Sequence, residues 1–252
     1  LVNTYTTTHQ FGADVTTLAD GNLVISWSSI YQDGDWYGVY AAVYDASGAV
    51  IKGEYRINTE TTGSQIGLSI TALVDGGFVG VWYSDGQDGS GYGVYGQRFD
   101  ANGDAVGTEF LVNDYVVGDQ MSPDVTALSD GGFIAVWQSD GQDGAGDGIY
   151  AQRYDDQGIK TGDEIRLNDT TSGEQTMPNV IELSDGRIVA SWLSDNQSGG
   201  SGTDVVGRFV DPIEFGTAGN DSLEGSVNAD IIDGLGGDDL LIGGAGDDIL
   251  TG

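Results

Sequence analysis

Leu73–Trp82 reads LVDGGFVGVW, two apolar runs separated by an Asp-Gly turn, which is the signal of a hairpin. Versions of it recur at Leu18–Trp27, Leu128–Trp137 and Leu183–Trp192, so tryptophans 27, 82, 137 and 192 stand 55 residues apart. A constant period of that length marks tandem copies of one supersecondary unit. Gln10, Gln65, Gln120 and Gln175 keep the period, as do Asp20, Asp75, Asp130 and Asp185 and the glycine after each. So do Asn3, Asn58, Asn113 and Asn168. Because Asn3 already belongs to the pattern, the chain opens inside a copy, and Leu1 in place of an initiator points to processing or trimming.

The copy spanning Asp124–Asn168 gives the strand plan. PDVTALSD alternates apolar with polar residues and ends on the Asp130-Gly131 turn, a first strand. Phe133–Gln138, FIAVWQ, is a nearly continuous apolar run, as expected of a strand covered on both faces. The loop SDGQDGAGDG leads to a third strand, IYAQRYD, and the turn DDQG to a fourth, EIRLN. Four antiparallel strands per copy, with a longer polar crossing to the next, is the plan of a propeller blade. The segments GGFVGVW, QDGSGYGVY and QRFDANG resemble the propeller-like repeats of large secreted bacterial proteins. The fold expected is all-β, with a four-bladed β-propeller-like repeat domain over residues 1–212. Leu1–Asn3, which matches the end of a fourth strand, could complete the last blade and close a ring. A portion of a larger ring, or an open stack with Ile213–Phe215 as the fourth strand, also fits.

Forty acidic against eight basic residues give a net charge of −32. Such a chain repels nucleic acid and anionic membrane and suits cations. Cysteine is absent, so neither a disulfide framework nor thiol chemistry is available. No apolar run reaches the length of a membrane span, and LVNTYTTTHQ has no secretory-signal pattern, so an export signal would lie outside this sequence.

From Gly216 the period falls to nine: GTAGNDSLE, GSVNADIID, GLGGDDLLI, GGAGDDILT. These resemble the RTX, or hemolysin-type, calcium-binding nonapeptide, whose tandem copies form a β-helix. The resemblance implies a parallel β-roll over 213–252 with two nonapeptides per coil turn. Calcium would then bridge Asp221 to Asp239 and Asp230 to Asp248, with carbonyls from the tight turns at Gly219, Asn228, Gly237 and Gly246. Residues 211–252 hold ten acids and no Lys or Arg, so cations are needed to fold them. The resemblance also implies extracellular or cell-surface localisation after type I, one-step secretion.

Within the blades, Asp85 with Asp88 and Asp140 with Asp143 form acidic pairs that are candidates for further calcium. Turn formation alone also explains them, and Ser198 breaks the pattern in the fourth copy. The recurring glutamines are expected to satisfy backbone groups of the crossings, and the recurring tryptophans to pack in the core. Arg98, Arg153 and Arg208 also keep the period. Residues that break the repeat are better ligand candidates: Tyr31, Trp36 and Tyr37 form an aromatic cluster beside Asp33 and Asp35 that suits a carbohydrate, although a loop packing on its neighbour explains the cluster equally. His9 is the lone histidine and no nucleophile motif is present, so no catalytic residue is assigned and the chain is expected not to be an enzyme. The expected function is calcium-dependent adhesion or glycan or surface-polymer binding. The alternatives are a self-assembling extracellular layer or filament, or an accessory region of a secreted hydrolase.

Overall fold

Each 55-residue copy folds into its own antiparallel sheet in the computed structural model, which describes residues 1–195, 202–210, 214–215, 219–225, 230–234, 236–246 and 248–252. Blade 1 is β1 (Gln10–Thr17), β2 (Leu23–Ile30), β3 (Tyr37–Tyr44) and β4 (Val50–Arg56), paired in that order. Blade 2 repeats it with β5 (Gln65–Ala72), β6 (Phe78–Asp85), β7 (Tyr92–Phe99) and β8 (Ala105–Leu111). Blade 3 is β9 (Gln120–Ala127), β10 (Phe133–Asp140), β11 (Asp147–Tyr154) and β12 (Lys160–Arg166). Blade 4 has, among the described residues, three strands: β13 (Gln175–Glu182), β14 (Ile188–Asp195) and β15 (Thr203–Val210).

The blades stack face to face, which explains the continuous apolar second strands. In β6, Phe78 and Trp82 pack on Leu18, Val24, Val39 and Ala41 of blade 1. The residues between them, Val79 and Val81, turn the other way and pack on Phe133 and Trp137 of blade 3. A strand with a neighbour on each face has no polar side to display. Fully burying one such Val or Phe stabilises by about 1.5–3 kcal/mol. The innermost strands carry polar stitches. Asp14 of blade 1 accepts the Ile70 N–H of blade 2 at 3.1 Å. Asp124 of blade 3 accepts from Ser69 Oγ of blade 2 at 2.8 Å and from the Val180 N–H of blade 4 at 2.9 Å.

The repeated Asn and Gln hold the crossings. Asn58 Nδ2 donates to Gln65 Oε1 at 3.1 Å, and Asn58 Oδ1 accepts the Val39 N–H at 2.9 Å. The same pair recurs as Asn113–Gln120 and Asn168–Gln175. Every inner strand also bulges at one repeat position, where φ is +61° at Gly12, +73° at Gly67, +52° at Ser122 and +53° at Met177. Two copies thus place a side chain in the left-handed region that glycine tolerates best.

Three details differ from the sequence reading. Leu1–Asn3 forms no strand, and the sheet of blade 4 has three strands among the described residues, so the N-terminus does not complete it; Asn3 pairs with Gln10 as the other asparagines pair with their glutamines, and Val2 packs beside Trp27. β16 (Glu214–Phe215) pairs in parallel with β18 (Ile231–Asp233) and is not a fourth strand of blade 4. Trp137 pairs with Tyr150, 13 residues on, whereas Trp192 pairs with Val206, 14 residues on. Blade 4 therefore carries one extra residue in its second loop. A one-residue shift turns every side chain to the other face. Arg98 and Arg153 reach Asp75 and Asp130 of their own hairpins, but Arg208 turns to the Leu167 carbonyl at 3.2 Å and Asp169 at 2.9 Å.

Beyond blade 4 the chain coils in parallel. β16, β18 and β20 (Ile249–Thr251) form one small sheet, and β17 (Ser222–Glu224) with β19 (Leu240–Ile242) the other. Leu223 pairs with Leu241 and Ile232 with Leu250, an 18-residue step that makes two nonapeptides one turn of coil. Ile232 is fully buried, and Ile249 packs against the core shared by blades 3 and 4.

Candidate functional site: the coil turns and the blade 1 loop

The 18-residue step brings the sixth-position aspartates together in pairs. The Asp221 N–H donates to Asp239 Oδ1 at 2.9 Å, and the Asp230 N–H donates to Asp248 Oδ1 at 3.1 Å. The Asp238 N–H donates to Asn220 Oδ1 at 3.1 Å, closing the same turn. Glycines make this stacking possible. At Gly237, where φ is +131°, an added Cβ would lie 2.5 Å from the Gly219 carbonyl oxygen one coil below. At Gly225, Gly234 and Gly243 it would collide with the carboxylates of Asp230, Asp239 and Asp248 respectively. Gly246, φ +132°, repeats the turn of Gly237. Asn228 lies outside the described residues.

The second-to-third-strand loops of the blades also gather oxygen atoms. Asp88 folds beneath Gly93, and its Oδ2, like that of Asp33 in blade 1, is buried without a hydrogen-bond partner. Asp143 Oδ2 instead accepts from Asn168 Nδ2 at 3.0 Å. Asp85 and Asp140 stand at the exposed ends of their strands, against Gly63 and Gly118 of the incoming crossings. Each pair thus faces two different neighbours. Among the described residues no cluster of three or more His, Cys, Asp or Glu has metal-holding geometry.

Blade 3 adds a carboxylate that sequence reasoning did not single out. Asp147 stands where Tyr37 and Tyr92 stand in the earlier copies, and Gln138 Nε2 donates to it at 3.1 Å. Burial, then the neighbouring Glu174, Asp140, Asp119 and Asp143, push its pKa up to about 6. The substitution of an acid for a repeated tyrosine was the available signal.

The blade 1 loop departs from the others in its aromatics. Tyr31 and Trp36 are 48% and 53% exposed, with ring centroids 5.7 Å apart and planes tilted by 41°. The Tyr31 N–H donates to the Trp36 carbonyl at 2.8 Å, just as Gly86 bonds Gly91 and Gly141 bonds Gly146. Tyr31 has φ +60° where those glycines have φ +68°. Asp35 accepts the Gly63 N–H at 2.9 Å and anchors the loop to the next crossing. Tyr37 is separated from the pair: it lies on β3 and packs edge-on against Phe11 with centroids 5.5 Å apart.

With this geometry in place, comparison with known proteins is informative at the C-terminus. The family model of the RTX calcium-binding nonapeptide repeat matches residues 215–250 in four copies. Residues 215–250 are RTX calcium-binding repeats. The RTX segment binds calcium, and its oxygens suit that ion: carboxylates, amide and carbonyl oxygens form a hard donor set. Asp239 Oδ2 is buried with no hydrogen-bond partner, so a cation there would satisfy a group that is otherwise costly to bury.

The repeat domain of the RTX-bearing chain has known structural counterparts. A thermostable family-43 glycoside hydrolase superimposes with a TM-score of 0.50 at 12% identity, covering 79% of this chain and 71% of that one. An endo-1,4-β-xylanase from Bacteroides thetaiotaomicron gives 0.49 at 9% identity, covering 82% and 79%. An endo-arabinase from the same organism gives 0.48 at 15%, covering 77% and 73%. No curated protein sequence matches the chain. The first likeness corrects one expectation: the chain was expected not to be an enzyme, but its propeller fold is also that of a glycoside hydrolase. Architecture therefore gives no ground for excluding catalysis, and at this identity the likeness shows the fold alone. Among the described residues no helix is long and apolar enough to cross a membrane.

Proposed function

We propose that the chain is an extracellular calcium-binding protein whose repeat domain, residues 1–212, binds carbohydrate through the blade 1 loop, while the RTX segment, residues 213–252, orders on calcium. The observation that carries the glycan reading is Tyr31. It holds a positive φ at a position where blades 2 and 3 have glycine, and its ring is exposed beside Trp36. A left-handed backbone costs a residue with a Cβ roughly 1–2 kcal/mol. Strain kept at an exposed aromatic marks a position where the side chain contributes something other than stability. Two adjacent aromatic faces suit the apolar face of a sugar ring, while Asp33 and Asp35 are engaged within the loop, Asp35 accepting the Trp36 and Gly63 N–H groups.

The ion pairs also fit an extracellular, calcium-rich setting. Six of the eight basic side chains are engaged by Asp104, Asp75, Asp130, Asp114, Asp185 and Asp169, leaving a large surplus of carboxylates. In the RTX segment Asp221 with Asp239, and Asp230 with Asp248, would hold the ions, aided by the turns at Gly219, Gly237 and Gly246. One-step export followed by calcium-driven folding outside the cell follows from this reading, because ten acids without a cation oppose folding in low calcium.

Affinity electrophoresis of the full chain through gels cast with soluble xylan, arabinan, pectin or mannan tests the binding site. Retardation by one of them, abolished in Trp36→Ala with an unchanged dichroism spectrum, is expected. Equal retardation of the variant would place binding elsewhere, and no retardation by a broad polysaccharide panel would sink the glycan reading.

A further inference from the structure

The two aspartate pairs of the RTX coil are built alike but placed differently. In each, the carbonyl of the first aspartate accepts an N–H from the seventh residue of a later nonapeptide: Asp221 from Leu240 at 2.9 Å, and Asp230 from Ile249 at 2.8 Å. That seventh residue directly follows the second aspartate of the pair, Asp239 or Asp248. Leu240 is 56% exposed. Ile249, at the same nonapeptide position, packs instead against the cluster of Leu128, Leu167, Val180 and Trp192 that joins blades 3 and 4. Its pair is also the deeper one: Asp230 is 3% exposed, whereas Asp221 is half-buried.

Further contacts join the same parts of the molecule. A polar cleft lies between the last nonapeptide and the blades, with Asp248, Ile249 and Thr251 on one side and Ile165, Arg166 and Arg208 on the other. Ile165 of β12 packs on the same cluster as Ile249. The blades thus hold the backbone that carries Asp248 and bonds the Asp230 carbonyl. The exposed Leu240 gives the other pair no comparable hold.

Ordering a binding site costs conformational entropy, so a site already held in its bound shape binds more tightly. We propose that the propeller braces the Asp230–Asp248 pair and makes it the tighter calcium site, while the Asp221–Asp239 pair is weaker and not coupled to the blades. Coupling is reciprocal: if the blades raise calcium affinity at one pair, calcium there stabilises the junction of blades 3 and 4 by the same factor. Calcium then fastens the coil to the propeller besides ordering the coil itself. The inference rests on calcium binding by the RTX segment, residues 215–250.

Calorimetric titration of the chelator-treated full chain with calcium, paired with urea unfolding followed by tryptophan fluorescence, tests it. Two classes of site are expected, and filling the tighter one should raise the urea midpoint, because Trp192 lies in the cluster that Ile249 touches. Ile249→Ser introduces the residue that Ser222 supplies at this position in the first nonapeptide, so the coil retains its fold. It is expected to weaken the tighter class about tenfold and to remove the calcium-dependent rise in midpoint. Leu240→Ser, the matching change on β19, should leave both unchanged. Ile165→Ala alters only a blade residue, yet should weaken the tighter class as well. A single class of sites, equal effects of the Ile249 and Leu240 substitutions, an unchanged tighter class in Ile165→Ala, or a wild-type midpoint indifferent to calcium would each overturn the proposal. Failure of the wild type to take up calcium would instead refute the RTX reading beneath it, and the proposal with it.

Discussion

Tyr31 offers a test in which stability and binding separate. Two substitutions both delete the ring: Tyr31→Ala keeps a Cβ at φ +60°, and Tyr31→Gly reproduces Gly86 and Gly141. Glycine relieves roughly 1–2 kcal/mol of left-handed strain. Its freer unfolded chain takes back about 0.4–1 kcal/mol. Losing the exposed contact with Trp36 costs both variants alike, about 0.5 kcal/mol. Tyr31→Gly is therefore expected near wild-type stability and about 0.5–1 kcal/mol above Tyr31→Ala, which is about 1–4 °C in melting temperature for a chain this size. Tryptophan fluorescence during thermal or urea unfolding reads the propeller directly, since Trp27, Trp82, Trp137 and Trp192 are all buried there. Both variants should lose retardation in the polysaccharide gel. If Ala proves as stable as Gly, the left-handed conformation is not imposed by the loop, and the argument from strain fails. If Gly binds glycan as the wild type does, the platform is not at Tyr31, whatever its stability.

Three further outcomes follow from named groups. Asp147→Asn keeps the acceptor for Gln138 and removes a carboxylate whose pKa is raised to about 6, so the folded wild type takes up a proton between roughly pH 6 and 4 that the unfolded chain releases. In chelator the wild type should gain about 1 kcal/mol relative to the variant as pH falls from 7 to 4, a value reduced for solvent screening, and urea midpoints at the two pH values measure it. Asp239→Asn removes one of the paired carboxylates of the RTX segment and is expected to raise the calcium midpoint by about tenfold or more in a titration followed by dichroism; an unchanged midpoint would exclude Asp239 as a ligand. Met177→Gly relieves a left-handed residue at φ +53°, matching Gly12 and Gly67, and is expected to stabilise blade 4 by up to about 1 kcal/mol, read as a rise in urea midpoint.

The sequence displayed the repeat because blade packing demands the same residue at the same place: Trp82 and Trp137 are fully buried, and Gln65 and Gln120 hold the same crossings. The nonapeptides were legible for a similar reason, since a side chain at Gly225, Gly234 or Gly243 would collide with the carboxylate of its own turn. What stayed hidden was register. The extra residue before Thr203 changes neither the composition of a Gly- and Ser-rich loop nor the 55-residue spacing of Arg208 from Arg153, yet the two arginines face opposite ways. Tyr37 was grouped with Tyr31 and Trp36 by proximity in the chain, but it begins a strand, and strand alternation directs it to Phe11. Tyr31 itself could have been read further: one tyrosine aligned with two loop glycines already indicates a positive φ.

The fourth blade departs from the register of the others. In blades 2 and 3 the arginine at the outer corner forms an ion pair with the aspartate of its own hairpin, and the apolar positions beside it are covered by the next sheet. In blade 4 Arg208 turns inward to Leu167 and Asp169, and the corresponding corner receives Phe209, with Arg187 5.6 Å over its ring. Deleting Ser201 would shorten the loop to the blade 3 length yet leave Arg208 opposite Ala190, so the inward turn of Arg208 is set by the strand pairing itself. Arg208→Ala removes its bonds to the Leu167 carbonyl and Asp169 and is expected to lower stability by about 1 kcal/mol, read as a fall in urea midpoint. An unchanged midpoint would show that the inward turn contributes nothing to stability.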